Sequence, residues 1–123
     1  MILVDTSVWI DHLRNHDARL AGLLNTGQVL THRFVIGELA LGNLQNRDSV
    51  LSALQNLPQA TEASDEEVLR FIAHHVLSGS GIGYIDAHLL AAVQLSHGAL
   101  LWTRDKRLLA ESVRLGLSAN LAH

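Results

Sequence analysis

Five acidic side chains of this 123-residue chain lie in apolar stretches, where an ionised carboxylate is costly to bury. They are Asp5, Asp11, Glu38, Asp86 and Asp105. Each needs a cation, a proton or a dense set of hydrogen-bond donors nearby. The chain contains no cysteine, and carboxylate oxygens without thiolates are the ligands that Mg²⁺ and Mn²⁺ prefer. The pattern therefore indicates a divalent-cation site, provided that the fold brings these acids together.

The elements that carry the acids alternate between short strands and helices. Apolar runs at 2–4, 28–32 and 99–103 predict buried strands, with a weak strand at 59–63 and an edge strand at 118–121. Helices are predicted between them, with helical spacing over 8–13, 17–24, 34–44, 48–57, 64–76, 84–97 and 106–115. Such alternation predicts an α/β fold, a parallel sheet covered on both faces by helices, in a single domain spanning 1–123.

Four of the acids are predicted to meet at one edge of this sheet. The carboxyl ends of parallel strands and the starts of the following helices share an edge. Asp5 ends the first strand, Glu38 lies in the helix after the second, and Asp105 follows a later strand. Asp86 begins the helix that runs back before that later strand, so it starts at the same edge. Their mutual repulsion would be severe there without a cation.

Each acid taken singly has a simpler interpretation. Acids at helix starts serve as N-caps, and Glu38 by itself fits a solvated surface position. The prediction of a metal site therefore rests on the joint placement of four acids. Asp11 keeps the simpler interpretation, facing outward or paired with Arg14, and helix-start acids such as Asp17 and Asp48 are assigned to capping.

Composition narrows the class of protein. Hydrophobic residues make up 48% of the chain and charged residues 17%, which excludes a disordered protein. The absence of cysteine excludes disulfides, thiolate metal sites and a cysteine nucleophile. No apolar run approaches the roughly 20 residues that span a bilayer, and the first residues do not resemble a signal peptide. We therefore expect a cytoplasmic protein with no membrane partner.

Net charge at first disfavours a nucleic-acid partner. The chain has nine basic and twelve acidic residues, a formal net charge of −3. Without the four proposed ligands, eight acids face nine bases, and a bound Mg²⁺ would add positive charge at the site. The acidic total is thus compatible with an RNA partner whose binding depends on the metal.

The residues around the four acids resemble the PIN-domain ribonucleases, and among them the VapC-type toxins of toxin–antitoxin pairs. The resemblance runs end to end, and its clearest segments are 4–10, 35–39, 85–92 and 101–108. It implies a three-layer α/β/α sandwich with a central parallel sheet. It also implies a Mg²⁺-dependent endoribonuclease, for which Mn²⁺ is an alternative ion.

The resemblance assigns the acidic site to Asp5, Glu38, Asp86 and Asp105. Asp5 and Asp86 are assigned to hold the ion, and the other two to complete the shell, orient water or hold a second ion. Ser7 and Thr103 match positions of small hydroxyls that orient the acids. Leu108 departs from the family, where an aromatic is common, and we expect this to affect packing more than chemistry.

Partners follow from the same resemblance. It implies a homodimer, an RNA substrate such as transfer RNA or ribosomal RNA, and a cognate VapB-like antitoxin whose C-terminal arm covers the acidic groove. We expect the antitoxin over the first helices and the helix pair within 34–57. Arg104, Lys106 and Arg107 flank Asp105 and are assigned to steer the RNA backbone, with an ordinary solvated helix start as the equal alternative.

Two other classes of function stay open at this point. A receiver-like phosphoacceptor module also gathers acids at this edge, but it would need an acid pair beside the first strand. The predicted second strand instead ends in Thr31, His32 and Arg33. The other class is a catalytically silent binding partner with the same acids. The glycine-rich segment 78–83 lacks the G-x-G-x-x-G spacing of a phosphate loop and is interpreted as a flexible turn.

Overall fold

Three short parallel strands form the sheet at the centre of the computed structural model, which describes residues 1–121. They are β1 (Ile2–Val4), β2 (Val29–Leu30) and β3 (Leu100–Trp102), in the order β2-β1-β3. Ile2 pairs with Val29 on one side and with Leu100 on the other. The strands are apolar runs because helices cover both faces of the sheet, and the central strand is almost fully buried.

Helices flank the sheet on both sides and complete a three-layer α/β/α sandwich, as predicted. Those in the described part of the chain are α1 (Thr6–Asn15), α2 (Ala18–Asn25), α3 (Arg33–Leu41), α4 (Arg47–Gln55), α5 (Asp65–His74), α6 (Tyr84–Leu95) and α7 (Lys106–Arg114). Helix α1 packs against α3, α3 against α4, and α5 against α6. Within residues 1–121, no helix combines the length and apolarity needed to cross a membrane.

The weak strand at 59–63 and the edge strand at 118–121 are each reduced to a single parallel bridge. Gln59 bridges to Thr31, and Ser118 bridges to Leu101. The first pairing stops because the chain enters α3 at Arg33, so no strand residue is left to pair with the segment after Ala60. The second stops at Asn120, whose positive φ of 54° turns the chain out of the sheet. These bridges extend the sheet by one residue pair at each edge.

Most helix boundaries differ from the sequence prediction by one to three residues, and two of these differences have a clear local cause. Helix α4 begins after Asn46, which adopts a left-handed conformation, so Asp48 lies inside the first turn and does not cap the helix. Helix α3 ends at Leu41 instead of continuing to 44, because Gly42 is extended and breaks the helical hydrogen bonding. Other predicted caps are present: the Asp17 side chain accepts two amides at the start of α2.

The burial of α6 determines where the acidic edge lies. Its residues from Ala87 to Val93 are buried, because this alanine- and leucine-rich helix packs against both α5 and β3. Leu108 is itself fully buried in the same core. A helix held on so many sides presents its first turn, which carries Asp86, in a defined position.

Removal of the capping box at the start of α5 should destabilise the fold measurably. The Ser64 hydroxyl accepts the Glu67 amide, and the Glu67 carboxylate accepts the Ser64 amide. We expect Ser64→Ala to lower the free energy of unfolding by about 1 kcal/mol in urea denaturation. Ser78→Ala, in an exposed turn, should change it by less than about 0.5 kcal/mol. Equal losses in the two variants would contradict a specific capping contribution.

Candidate functional site

Asp5 lies at the carboxyl end of the central strand, where its carboxylate is held by two hydroxyls. The residue is only 5% exposed, and its amide donates to the Trp102 carbonyl at 2.9 Å. One oxygen, Oδ2, accepts from Ser7 Oγ at 2.7 Å and from Thr103 Oγ1 at 2.8 Å. Asp5 precedes α1, yet its side chain makes no capping bond to that helix. Capping therefore does not explain why this position is acidic.

The two hydroxyls are themselves fixed by backbone amides of the segment that follows β3. The Arg104 amide donates to Ser7 Oγ at 3.0 Å, and the Asp105 amide donates to Thr103 Oγ1 at 3.1 Å. Each hydroxyl thus accepts from an amide, which directs its proton toward Asp5. The network joins the ends of β1 and β3, although the two segments are almost one hundred residues apart in sequence.

Each of the other three acids is held by a donor of its own. Glu38, exposed on α3, accepts from Thr6 Oγ1 at 2.7 Å. Asp86, in the first turn of α6, accepts from the Gly83 amide at 3.0 Å. Asp105 caps α7 by accepting an amide of its first turn. The contact between Thr6 and Glu38 escaped sequence reasoning, because nothing in the Asp-Thr-Ser triplet assigns a partner to the threonine.

The charges of the other acids reach Asp86. Partial burial raises the pKa of the Asp86 carboxyl, and the negative charges of Asp5, Asp105 and Glu38 raise the same pKa further. The hydrogen bond from the Gly83 amide opposes these effects in part. The four carboxylates therefore share one electrostatic environment at this edge of the sheet, in which a positive charge would be stabilised.

The donor set fits a hard divalent cation, although the carboxylates are spread around the site. Across residues 1–121, no three histidine, aspartate or glutamate side chains are gathered closely enough to hold one metal ion together. Mg²⁺ commonly keeps several of its waters and binds directly to only one or two carboxylates. The ligand atoms of all four acids are oxygens. Partial burial, together with the negative charges of the other three acids, raises the pKa of Asp86. The residues thus fit an ion bound partly through water.

Arg104 is committed to two carboxylates inside the protein. Its Nη1 lies 2.5 Å from Asp11 Oδ2 on α1, and its Nη2 lies 2.5 Å from Asp17 Oδ2 before α2. The predicted pairing of Asp11 with Arg14 was therefore wrong, whereas the Asp11 side chain is still 49% exposed, in keeping with the outward alternative. Hydrogen bonds from the Leu20 amide and from Arg104 help to hold the pKa of Asp17 below its usual value, although partial burial opposes them. The charge of Arg104 is thus largely neutralised by its two partners.

A second polar cluster beside the start of α6 was not predicted. Tyr84 donates its hydroxyl to Asp65 Oδ1 at 2.9 Å, and the buried His88 ring places Nε2 3.1 Å from the same oxygen. These bonds lower the pKa of the exposed Asp65 carboxyl. The i, i+4 spacing of Tyr84 and His88 was the available signal, since it places both on one face of α6. The cluster ties α6 to the start of α5.

Two concave surfaces lie outside the acidic edge. A cavity of about 520 Å³ is formed by α1, α3 and the segment before α4, and Glu38 is part of its lining together with Ile10, Leu13 and Leu39. A second cavity of about 580 Å³ lies between α5 and α6 and includes Phe71, His74 and Leu95. The first cavity therefore connects an apolar surface to one of the four acids.

Comparison with known proteins gives two concordant results. Residues 2–112 match the family model described as PIN domain. Ribonuclease VapC32 of Mycobacterium tuberculosis, from strains CDC 1551 / Oshkosh and ATCC 25618 / H37Rv, is 52% identical to this chain over 118 residues. The aligned region covers 96% of this chain and 95% of each relative, so the similarity extends over the whole fold.

Neutralising Asp86 should stabilise the metal-free protein. Because its pKa is raised in the folded state, ionised Asp86 destabilises the fold above that pKa, and the penalty disappears below the unfolded value of about 3.9. Asp86→Asn keeps an oxygen for the Gly83 amide. In EDTA at pH 7 we expect its melting temperature to exceed that of the unmodified protein by a few degrees, with no gain near pH 3.

The matched control is Asp48→Asn, which removes an exposed acid from the first turn of α4. This change should leave the melting temperature unchanged or slightly lower, because Asp48 interacts favourably with the helix dipole. A decrease for Asp86→Asn in EDTA would contradict the repulsion inferred among the four acids.

Proposed function

The chain belongs to the PIN-domain family, and on that premise we propose that it is a metal-dependent endoribonuclease toxin of the VapC type. The observation that carries this proposal is the buried Asp5 carboxylate, held by Ser7 and Thr103 and close enough to Asp86 to raise the pKa of that acid. The similarity to a ribonuclease over almost the whole chain supports the same reaction class. The family match also decides against the receiver-like module.

Asp5 and Asp86 are the residues that would hold a Mg²⁺ ion, or Mn²⁺ in its place, with Glu38 and Asp105 completing the site. When bound, the ion supplies polarisation of the scissile phosphate and a lowered pKa for an attacking water. The local donors occupy one oxygen of each carboxylate. For none of the four does another side chain or amide within 1–121 hydrogen-bond the second oxygen, so that oxygen is left for the cation or its waters.

Neighbouring hydroxyl side chains orient the acids, and one of the acids is suited to accept the proton of the attacking water. Ser7 and Thr103 both donate hydrogen bonds to Oδ2 of Asp5 and so fix the direction of its carboxylate. Glu38 is exposed and oriented by Thr6, which suits it to align the attacking water and to accept its proton. The water oxygen forms the new bond to phosphorus, the bond to the ribose 3′-oxygen breaks, and the departing oxygen takes a proton from solvent water. The products carry a 5′-phosphate and a 3′-hydroxyl.

The cavity beside Glu38 is the surface that we assign to the antitoxin. Ile10 and Leu13 on α1 are 37% and 39% exposed, and Leu41 at the end of α3 is 91% exposed. A groove that combines apolar side chains such as Ile10 and Leu13 with polar ones and the Glu38 carboxylate suits an amphipathic segment with a basic residue at one end. Such a segment would cover the acidic edge and block access of RNA. A VapB-like antitoxin is the partner proposed here.

The face formed by α5 and α6 is assigned to the homodimer. Leu95 lines the second cavity and is 45% exposed, and Leu69 on α5 and Val76 just after that helix are 61% and 71% exposed. A second copy of the chain would remove this apolar surface from water. The antitoxin and the second copy would then use different surfaces of the same protomer.

Cleavage of RNA tests the proposed reaction directly. With a fluorogenic single-stranded RNA and Mg²⁺, we expect Asp5→Asn and Asp86→Asn each to lower the initial rate at least about 100-fold. Chelation by EDTA should abolish the rate, and Mn²⁺ should restore it. Glu66→Gln, which removes an exposed acid of α5, should retain the full rate. An unmodified protein without cleavage under either ion would instead support the catalytically silent binding partner.

The assignment of the antitoxin surface predicts a position-dependent effect of charge. Leu13→Asp should weaken binding of the co-expressed antitoxin at least about tenfold, because it places a charge inside the apolar groove. Leu69→Asp, at an exposed leucine of α5, should leave that affinity unchanged and instead dissociate the homodimer in light scattering. Equal weakening of antitoxin binding by both variants would contradict separate surfaces.

A further inference from the structure

Three basic residues follow Thr103, and the structure separates their environments. Arg104 faces inward and makes ion pairs with Asp11 and Asp17, so little of its charge is available to a ligand. Lys106 and Arg107 are exposed in the first turn of α7. Within the described part of the chain, neither of these two side chains lies in an ion pair with a carboxylate. Of the two, only Arg107 is held in place by a neighbouring segment.

Arg107 packs on the backbone of Gly81. A Cβ atom built at Gly81 would lie 2.9 Å from Arg107 Cδ, 3.1 Å from Nη1 and 3.2 Å from Nε. Real Cβ atoms essentially never approach a heavy atom as closely as 2.9 Å, so a side chain at residue 81 would force the flexible end of Arg107 to shift. The positive φ of 87° at Gly81 is also a conformation that favours glycine. The absence of a side chain at residue 81 therefore leaves room for the Arg107 guanidinium.

The two residues in this contact lie close in sequence to two of the proposed metal ligands. Arg107 follows Asp105 by two residues on α7, and Gly81 precedes by two residues the Gly83 amide that holds Asp86. The side chain thus links the segment that carries Asp105 to the segment that carries Asp86. A guanidinium restrained in this way loses less conformational freedom when it binds an anion.

We propose that Arg107 is the residue that binds a phosphate of the RNA strand at the acidic edge, in the orientation that Gly81 imposes. Arg104, by contrast, holds the end of β3 against α1 and does not contact RNA. This proposal rests on the proposed ribonuclease function and deepens it. The planar guanidinium presents paired N–H donors to phosphate oxygens, and its charge offsets the approach of RNA to four carboxylates.

Salt dependence of RNA binding measures this phosphate contact. The Asp86→Asn protein is used to prevent cleavage, with a fluorescein-labelled single-stranded RNA at constant Mg²⁺ and increasing NaCl. Adding Arg107→Gln should weaken binding about tenfold and make the slope of log affinity against log salt shallower by about 0.7. Adding Arg107→Lys should preserve the slope, because the charge is retained. Adding Arg114→Gln, at the other end of α7, should preserve both slope and affinity.

A pair of glycine variants separates orientation of Arg107 from general strain. Gly79 and Gly81 lie in the same turn with φ of +79° and +87°, but a Cβ at Gly79 would meet nothing within 4 Å. In the Asp86→Asn protein, Gly81→Ala should weaken RNA binding as Arg107→Gln does, and Gly79→Ala should not. Their melting temperatures should fall by similar amounts, because both variants place alanine at positive φ. The double variant Gly81→Ala and Arg107→Gln should bind no more weakly than Arg107→Gln alone.

Different results would overturn the role of Arg107, the role of Gly81 and the ribonuclease function. An Asp86→Asn protein that binds RNA with the same affinity and slope after Arg107→Gln would overturn the role of Arg107 and leave the ribonuclease function intact. Equal losses of RNA affinity in Gly79→Ala and Gly81→Ala would overturn the orienting role of Gly81. If the unmodified protein neither binds nor cleaves RNA with Mg²⁺ or Mn²⁺, both proposals fail.

Discussion

The carboxylate of Asp5 is buried at the end of the central strand, and the surrounding structure is organised around satisfying it. A buried, ionised carboxylate without donors would be strongly unfavourable. Two hydroxyls supply those donors, and the amides of Arg104 and Asp105 orient the hydroxyls. The same hydrogen bonds hold the segment after β3 against the start of α1. The hydrogen bonds around the Asp5 carboxylate therefore connect the start of α1 to the segment that follows β3.

Stability and proposed function act against each other at this edge. Partial burial and the neighbouring negative charges raise the pKa of Asp86, which means that its ionised form is unfavourable in the folded protein. Asp86 stays in position because α6 is buried along most of its length and because the Asp65–Tyr84–His88 cluster anchors its first turns. The packed core thus offsets the repulsion, and a divalent cation would relieve it. This is the balance expected where a site is built for ligand binding at the expense of stability.

Arg104 and Arg107 have different roles because their surroundings differ. Arg104 and Arg107 are three residues apart and have the same chemistry, but one is enclosed by two carboxylates and the other lies on a bare glycine backbone. The first can only stabilise the fold, because its charge is already paired. The second keeps its charge for an anionic ligand. Gly81, whose positive φ already favours glycine, also leaves room for the Arg107 side chain.

Much of the architecture follows from local pattern. Apolar runs and helical spacing predicted the three strands and the layered α/β arrangement, because burial on both faces requires such runs. The order of elements placed Asp5, Glu38, Asp86 and Asp105 at one edge, since strand ends and helix starts share it. The capping box at Ser64 was equally legible, because its two hydrogen bonds span only three residues. These features depend on neighbours in sequence or on general rules of chain topology.

Long-range side-chain contacts were decided by the tertiary structure. The partner of Asp11 lies 93 residues away, and the contact between Arg107 and Gly81 depends on how α7 docks beside a distant turn. The length of the strand pairings near Gln59 and Ser118 also depended on the backbone that follows them, since Arg33 begins α3 and Asn120 has a positive φ. The tertiary structure also decided the spacing of the four acids. Their charges act on one another, but within residues 1–121 no three such side chains lie close enough together to hold one ion. The sequence by itself determined which residues reach the acidic edge, whereas the packing of helices around the sheet decided which groups touch there.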